Sequence, residues 1–192
     1  NEADNIIPLL DSLCNQNLKQ ASIAEIIVVS SASTDGTDEL VENYTSRDPR
    51  VRLIRQARRE GKSSAINLFI AEAKSPILIV ISGDIIPAPT TIEKLAVAFN
   101  DPKVGASGGR PVPVNPVNTF MGFAVHLLWR LHHRMAMISP KLGEMIAFRK
   151  LMDSIPAESA VDEASIEAIV RSHGLKLRYV PDAIISNKAP RT

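Results

Sequence analysis

Ser75-Pro76-Ile77-Leu78-Ile79-Val80-Ile81-Ser82-Gly83-Asp84-Ile85-Ile86-Pro87 is the stretch that decides the fold. Ile77 to Ile81 run without a charge, the pattern of a central strand buried on both faces of a parallel sheet. The run stops at Ser82-Gly83-Asp84, so one carboxylate stands just past the strand's C-terminal end. In open α/β sheets that edge is where ligands bind. A hard cation or a phosphate-bearing substrate is the chemistry a carboxylate handles there. A solvated turn is the other reading of a lone Asp in that place.

On both sides of this stretch, strand and helix patterns alternate. Upstream, Asn1 to Asn17 has helical periodicity and Glu25 to Val29 reads as a strand. Polar Ser30 to Gly36 leads into a helix over Thr37 to Arg47, with acids in its first turn. Val51 to Ile54 is a short strand, and Gly61 opens a helix through Ala73. Downstream, Thr90-x-x-Glu93 predicts a capping box and a helix to Phe99, followed by a strand over Val104 to Arg110. Such alternation implies a mostly parallel, Rossmann-like central sheet with helices on both faces.

After Pro111 the pattern changes. Pro111, Pro113 and Pro116 punctuate a loop, and Val117 to Ile138 reads as a longer helix. Leu142 to Phe148 predicts a strand, Asp162 to His173 a helix closed by Gly174, and Leu177 to Val180 and Ala183 to Ser186 two short strands. The expectation is one domain over 1–192, its half 1–111 elaborated by the half 112–192.

Composition narrows the classes of function. A net charge of +1 shows no nucleic-acid or membrane footprint, and 4% aromatic residues leave little for base stacking. Cys14 is the single cysteine, which excludes an intramolecular disulfide and fits a reducing compartment. No stretch approaches the roughly 18 apolar residues that span a bilayer. The expected location is the cytoplasm, with membrane association left open for a longer native protein. His126, His132 and His133 lie close in sequence, but no cysteine or acid completes a zinc spacing.

Polar residues at four element ends are candidates to converge: Ser30 to Thr37, Gly61-Lys62, Ser82 to Asp84, and Asp162-Glu163. With Asn1-Glu2, Ser33-Thr34-Asp35-Gly36-Thr37, Gly61-Lys62-x-x-Ala65-x-Asn67 and Tyr179-Val180-Pro181-Asp182-Ala183 in this order, the chain resembles the family-2 glycosyltransferases, the inverting group with the GT-A fold. The resemblance implies that a first strand precedes Asn1. It also implies transfer of a sugar, of hexosyl type, from a UDP- or GDP-sugar with a divalent cation, Mg²⁺ or Mn²⁺. The acceptor is left open among saccharide, lipid phosphate and protein.

By that resemblance, Ser30, Ser31, Asp35, Lys62, Ser82, Gly83 and Asp84 belong to the donor site. Asp84 is the metal ligand, and Glu163 with Asp162 supplies the catalytic base. Gly143, Glu144, Arg149 and Trp129 are acceptor-side candidates. Local chemistry offers other roles. Asp35 caps its helix, Lys62 is a solvated lysine, Asp162-Glu163 load a helix N-terminus, and Arg130 with Arg134 forms a solvated or anion-attracting face.

The chain departs from the family pattern where Ser30-Ser31 and Ser82 stand in place of acids and where Asp162-Glu163 is inverted. Two other functions stay open on that account: a non-catalytic nucleotide-binding or interaction module, and a nucleotidyltransferase.

Overall fold

The apolar runs build two sheets. In the computed structural model, which describes residues 1–156 and 161–187, β1 (Ile26–Ser31) and β2 (Val51–Gln56) pair in parallel with Ile26 opposite Val51. Beside them lies a second sheet. Among the described residues its order is β3 (Ile77–Ile81), β6 (Met145–Arg149), β5 (Val104–Pro113), β7 (Lys176–Asn187) and β4 (Ile86–Pro87). The helices are α1 (Ile6–Cys14), α2 (Thr37–Thr45), α3 (Lys62–Glu72), α4 (Thr91–Val97), α5 (Phe120–Ile138) and α6 (Asp162–Ser172).

Strand alternation divides the core in two, and β6 shows how. Met145 and Ala147 join a cluster with Leu10 of α1, Val41 of α2 and Leu95 of α4. Ile146 and Phe148, on the opposite face, join Ile66 and Ile70 of α3 and Ile166 and Val170 of α6. Helices therefore cover both faces of an α/β sheet, as period-two strands with two apolar faces require.

Strand directions are more mixed than expected. β3 runs antiparallel to β6, β6 antiparallel to β5, β5 parallel to β7, and β7 antiparallel to β4. β3, β5 and β7 thus share a direction with β6 inserted between β3 and β5. β3 is the edge of its sheet rather than its centre. Of its five residues only Leu78 is fully buried. Ile77, Ile79 and Ile81 line a cavity of about 740 Å³ that separates β3 from β1.

Three further expectations change. The two short strands after α6 are one, since β7 continues through Pro181 to Asn187. α4 begins without a side-chain cap from Thr90. Glu93 accepts instead from the backbone N–H groups of Lys19, Gln20 and Ala21, so its carboxylate is turned away from the Thr90 N–H that a capping box would give it. The helix predicted from Asn1 is confined to Ile6–Cys14, and residues 1–5 do a different job at the site. No helix among the described residues is long and apolar enough to cross a membrane.

Candidate active site

Two helix N-termini face each other. α3 is entered through Gly61, whose φ of 88° is a backbone shape L-residues rarely adopt. Lys62 follows at once. A cation in a helix's first turn opposes the helix dipole, so it needs an acid, and α6 provides two in its own first turn. Lys62 Nζ lies 2.9 Å from Glu163 Oε1 and 3.6 Å from Asp162 Oδ2. Burial works against the lysine's charge, but the two carboxylates outweigh it and hold its pKa above the ordinary value. The buried Ser63 hydroxyl donates to Asp162 Oδ1 at 2.6 Å and locks that carboxylate in place.

The antiparallel pairing of β3 and β6 brings a third acid here. Ile81, the last residue of β3, is opposite Met145, the first of β6. The exit loop Ser82-Gly83-Asp84 and the entry residue Glu144 therefore lie at the same end of the sheet. Glu144 holds a left-handed backbone, with φ 58°. Burial pushes its carboxyl up, and the charges of Asp84 and Glu163 push it further; the Asn187 side chain, at the end of β7, and Lys62 work the other way. Both Asp84 and Glu163 are thus close enough to Glu144 to repel it. Residues far apart in sequence thus meet at one end of the sheet, where Lys62 is paired with Glu163.

Residues 1–3 stitch this site to β1. Asn1 Oδ1 accepts from the Thr34 N–H at 2.8 Å, and the Glu2 N–H donates to Thr37 Oγ1 at 2.8 Å. The Glu2 side chain lies across Gly83, where an added Cβ would come within 2.7 Å of Glu2 Cγ and force Glu2 to shift. Asp35 accepts from the Thr37 hydroxyl and from the Ala3 N–H, and these hold its pKa down at about 2. It acts as a clip between the chain start and α2. Ser30 is buried and donates to Ser33 Oγ, while Ser31 Oγ accepts from the Glu60 N–H.

Asp84, Glu144, Asp162, Glu163 and Lys62 therefore gather. Asp35, Ser30 and Ser31 lie at the neighbouring end of β1 and stabilise its turn, and Ser82 and Gly83 belong to the loop that carries Asp84. Arg149, an acceptor-side candidate, stands apart from this group. It pairs with Ile77 at the far end of β3, and its guanidinium is spent on the carbonyls of Val104 and Phe99 and on the Phe99 ring. Trp129 packs edge-on to His132 on α5. Gly143 leaves its Cβ position open and accepts the Met145 N–H.

His126 meets the Asn115 carbonyl and His133 the Tyr179 hydroxyl, so each is occupied apart from any ion. Sequence reasoning gave Ser63 no role and read Asn67 only as part of a motif. The Asn67 amide donates to Ile155 O and accepts from Ile155 N, which latches α3 to the segment leading toward α6. A small polar residue facing inward on a helix was the available signal.

Among the described residues no three acids, histidines or cysteines stand close enough to hold an ion alone. The donors at this site are carboxylate oxygens. One or two such groups plus substrate phosphates make the usual shell of a small hard cation, so the residues present fit Mg²⁺ or Mn²⁺ brought with a diphosphate.

A family model described as "Glycosyl transferase family 2" matches residues 1–169. A dolichyl-phosphate β-glucosyltransferase of Trichomonas vaginalis is 27% identical over 146 residues, 67% of this chain and 43% of its own length. A dolichol-phosphate mannosyltransferase of Pyrococcus furiosus is 32% identical over 112 residues, 58% of this chain and 31% of its own. The chain thus spans less than half the length of these relatives. The mannosyltransferase PcManGT from Pyrobaculum calidifontis, solved with GDP-Man and Mn²⁺, superposes with a TM-score of 0.79 at 25% identity, covering 100% of this chain and 55% of that one. S. aureus TarS 1–349 with UDP superposes at 0.73 and 17% identity over 98% and 58% of the two chains, a likeness of fold alone.

Proposed function

This chain belongs to glycosyl transferase family 2, and on that footing we propose that it moves a hexose, with inversion, from a UDP- or GDP-sugar to an acceptor held beside the N-terminus of α6. One observation carries the reading: the ion pair of Lys62 with Glu163 joins the N-termini of α3 and α6, at the end of the sheet where the pairing of Ile81 with Met145 brings Asp84 and Glu144.

Asp84, with Glu144 near it, would hold the divalent cation. When bound, Mg²⁺ or Mn²⁺ neutralises charge that develops on the leaving diphosphate. Lys62 stands ready to meet phosphate oxygens with the backbone N–H groups of the α3 N-terminus. The acceptor oxygen bonds the anomeric carbon from one face as the carbon–oxygen bond to the diphosphate breaks on the other. Glu163 takes the proton of an acceptor hydroxyl. Asp162, fixed by Ser63, positions the turn that carries Glu163.

The relatives' names favour a second reading of the acceptor, a lipid phosphate. A phosphate monoester, with a second pKa of about 6, arrives largely deprotonated and needs no base. Glu163→Gln separates the two acceptors. With a hydroxyl acceptor it lowers turnover by about 10²–10⁴ while sparing donor binding; with a phosphate acceptor the loss is slight.

Calorimetry with UDP and GDP, with and without Mn²⁺, tests the donor side. Binding that requires Mn²⁺ and is lost in Asp84→Asn supports the assignment. Mn²⁺-independent binding without turnover points to a binding module, and pyrophosphate release from a sugar phosphate and a nucleoside triphosphate points to a nucleotidyltransferase.

A further inference from the structure

α5 is built inside out. A helix on a protein surface normally turns its apolar stripe inward. Here the buried residues are Gly122 and Ala136. Phe120, Phe123, Leu127, Leu128, Leu131, Met135 and Ile138 are exposed, Phe120 at 83% and Ile138 at 88%. At about 3.6 residues per turn these side chains fall on one continuous outward face. An apolar patch of that extent marks a contact with something else.

Charge on the helix decides what covers it. No acid occurs between Phe120 and Ile138, whereas Arg130 and Arg134 stand along one flank of the apolar face. Leu127, Arg130, Leu131 and Arg134 line a depression of about 250 Å³. A second copy docked face to face would bring four arginines together with no acid on either helix, because a two-fold contact pairs a surface with itself. An anionic lipid surface satisfies both features at once. Apolar side chains enter the boundary between headgroups and acyl chains, and the arginines lie at the level of the phosphates.

We propose that α5 is the surface by which this protein lies on a bilayer containing anionic phospholipid. The inference rests on α5 and stands apart from the sugar-transfer reading. It does connect to the site: His133 Nδ1 is 2.9 Å from the Tyr179 hydroxyl on β7, and β7 ends at Asn187, whose side chain reaches Glu144.

Co-sedimentation of the full chain with vesicles tests this, using phosphatidylcholine alone and a three-to-one mixture with phosphatidylglycerol. The mixed vesicles should bind the protein, and binding should weaken as salt rises. Leu131→Glu should reduce the partition about tenfold, as expected for losing one buried leucine. Arg130→Ala and Arg134→Ala should each reduce it roughly fivefold on the mixed vesicles. All three positions are exposed, so circular dichroism and nucleotide binding in solution should match the parent.

Three results overturn the proposal. The first is a folded parent that stays in the supernatant with mixed vesicles. The second is vesicle binding that all three variants retain. The third is a dimer in sedimentation velocity that Leu131→Glu dissolves while vesicles bind nothing, which would assign the face to a second copy.

Discussion

α5 and α6 both follow the proline loop and both pack on β5 and β7, yet they spend their apolar residues in opposite directions. α6 buries Ile166 and Val170 and sinks two acids with them, Asp162 and Glu167. Each acid finds a partner: Asp162 takes the Ser63 hydroxyl, and Glu167 takes the Leu142 N–H at 2.6 Å. α5 buries a glycine and an alanine and turns its large side chains outward. A buried acid is tolerated only where hydrogen bonds replace lost water, so α6 is specified by the rest of this fold. α5's outward face has no such answer within the described residues, which is the pattern of a helix shaped for an external medium.

The largest expected contrast is one truncation made in both helices. Ile166→Ala should cost about 2–5 kcal/mol by urea denaturation, because a fully buried side chain leaves a cavity. Leu131→Ala should change stability by no more than about 0.5 kcal/mol, since the side chain already stands in water. Equal losses at the two positions would erase the distinction between the helices.

Ser63→Ala should come next, at about 1–3 kcal/mol, because it removes a hydrogen bond from a buried carboxylate. If the Ser63–Asp162 contact positions the base, turnover falls as well while nucleotide affinity holds, and Ser63→Thr restores both.

The smallest effect sharpens the electrostatic side of the comparison. Burial and the neighbouring acids raise the Glu144 pKa above its ordinary 4.5. The folded state therefore holds that proton more tightly than the unfolded state, and ionisation of Glu144 costs stability as pH rises through the raised value. Glu144→Gln should raise the melting temperature by about 2 °C at neutral pH, with the gain vanishing below pH 4.5. A melting temperature lowered at neutral pH would mean that the site does not crowd its acids.

Local rules made much of the architecture legible. α3 was readable because Gly61 and the run Ala65, Ile66, Phe69, Ile70 mark its start and its face within one short segment. The local half of the Asp35 contacts was readable as a cap because the carboxylate bonds a residue two positions on, whereas its contact with Ala3 was not. The position of β3 along the chain was legible and its place in the sheet was not. An apolar run looks the same at a sheet's centre and at an edge beside a cavity, and a run carries no record of strand direction. The place of Arg149 was hidden for a similar reason: a register of pairing puts it at the far end of β6.

For the candidate site, residue types and the ends that carry them were legible, while the grouping was not. The sequence by itself determined the helices, the strands and the acids that cap or terminate them, because hydrogen bonds within a turn and side-chain periods act over a few residues. Only the tertiary structure decided that Glu144 comes near both Asp84 and Glu163 and that Glu163 pairs with Lys62. It alone also turned the apolar face of α5 to the outside. Coulomb forces and burial depend on distance through space, and that distance exists only once the sheets and helices have packed.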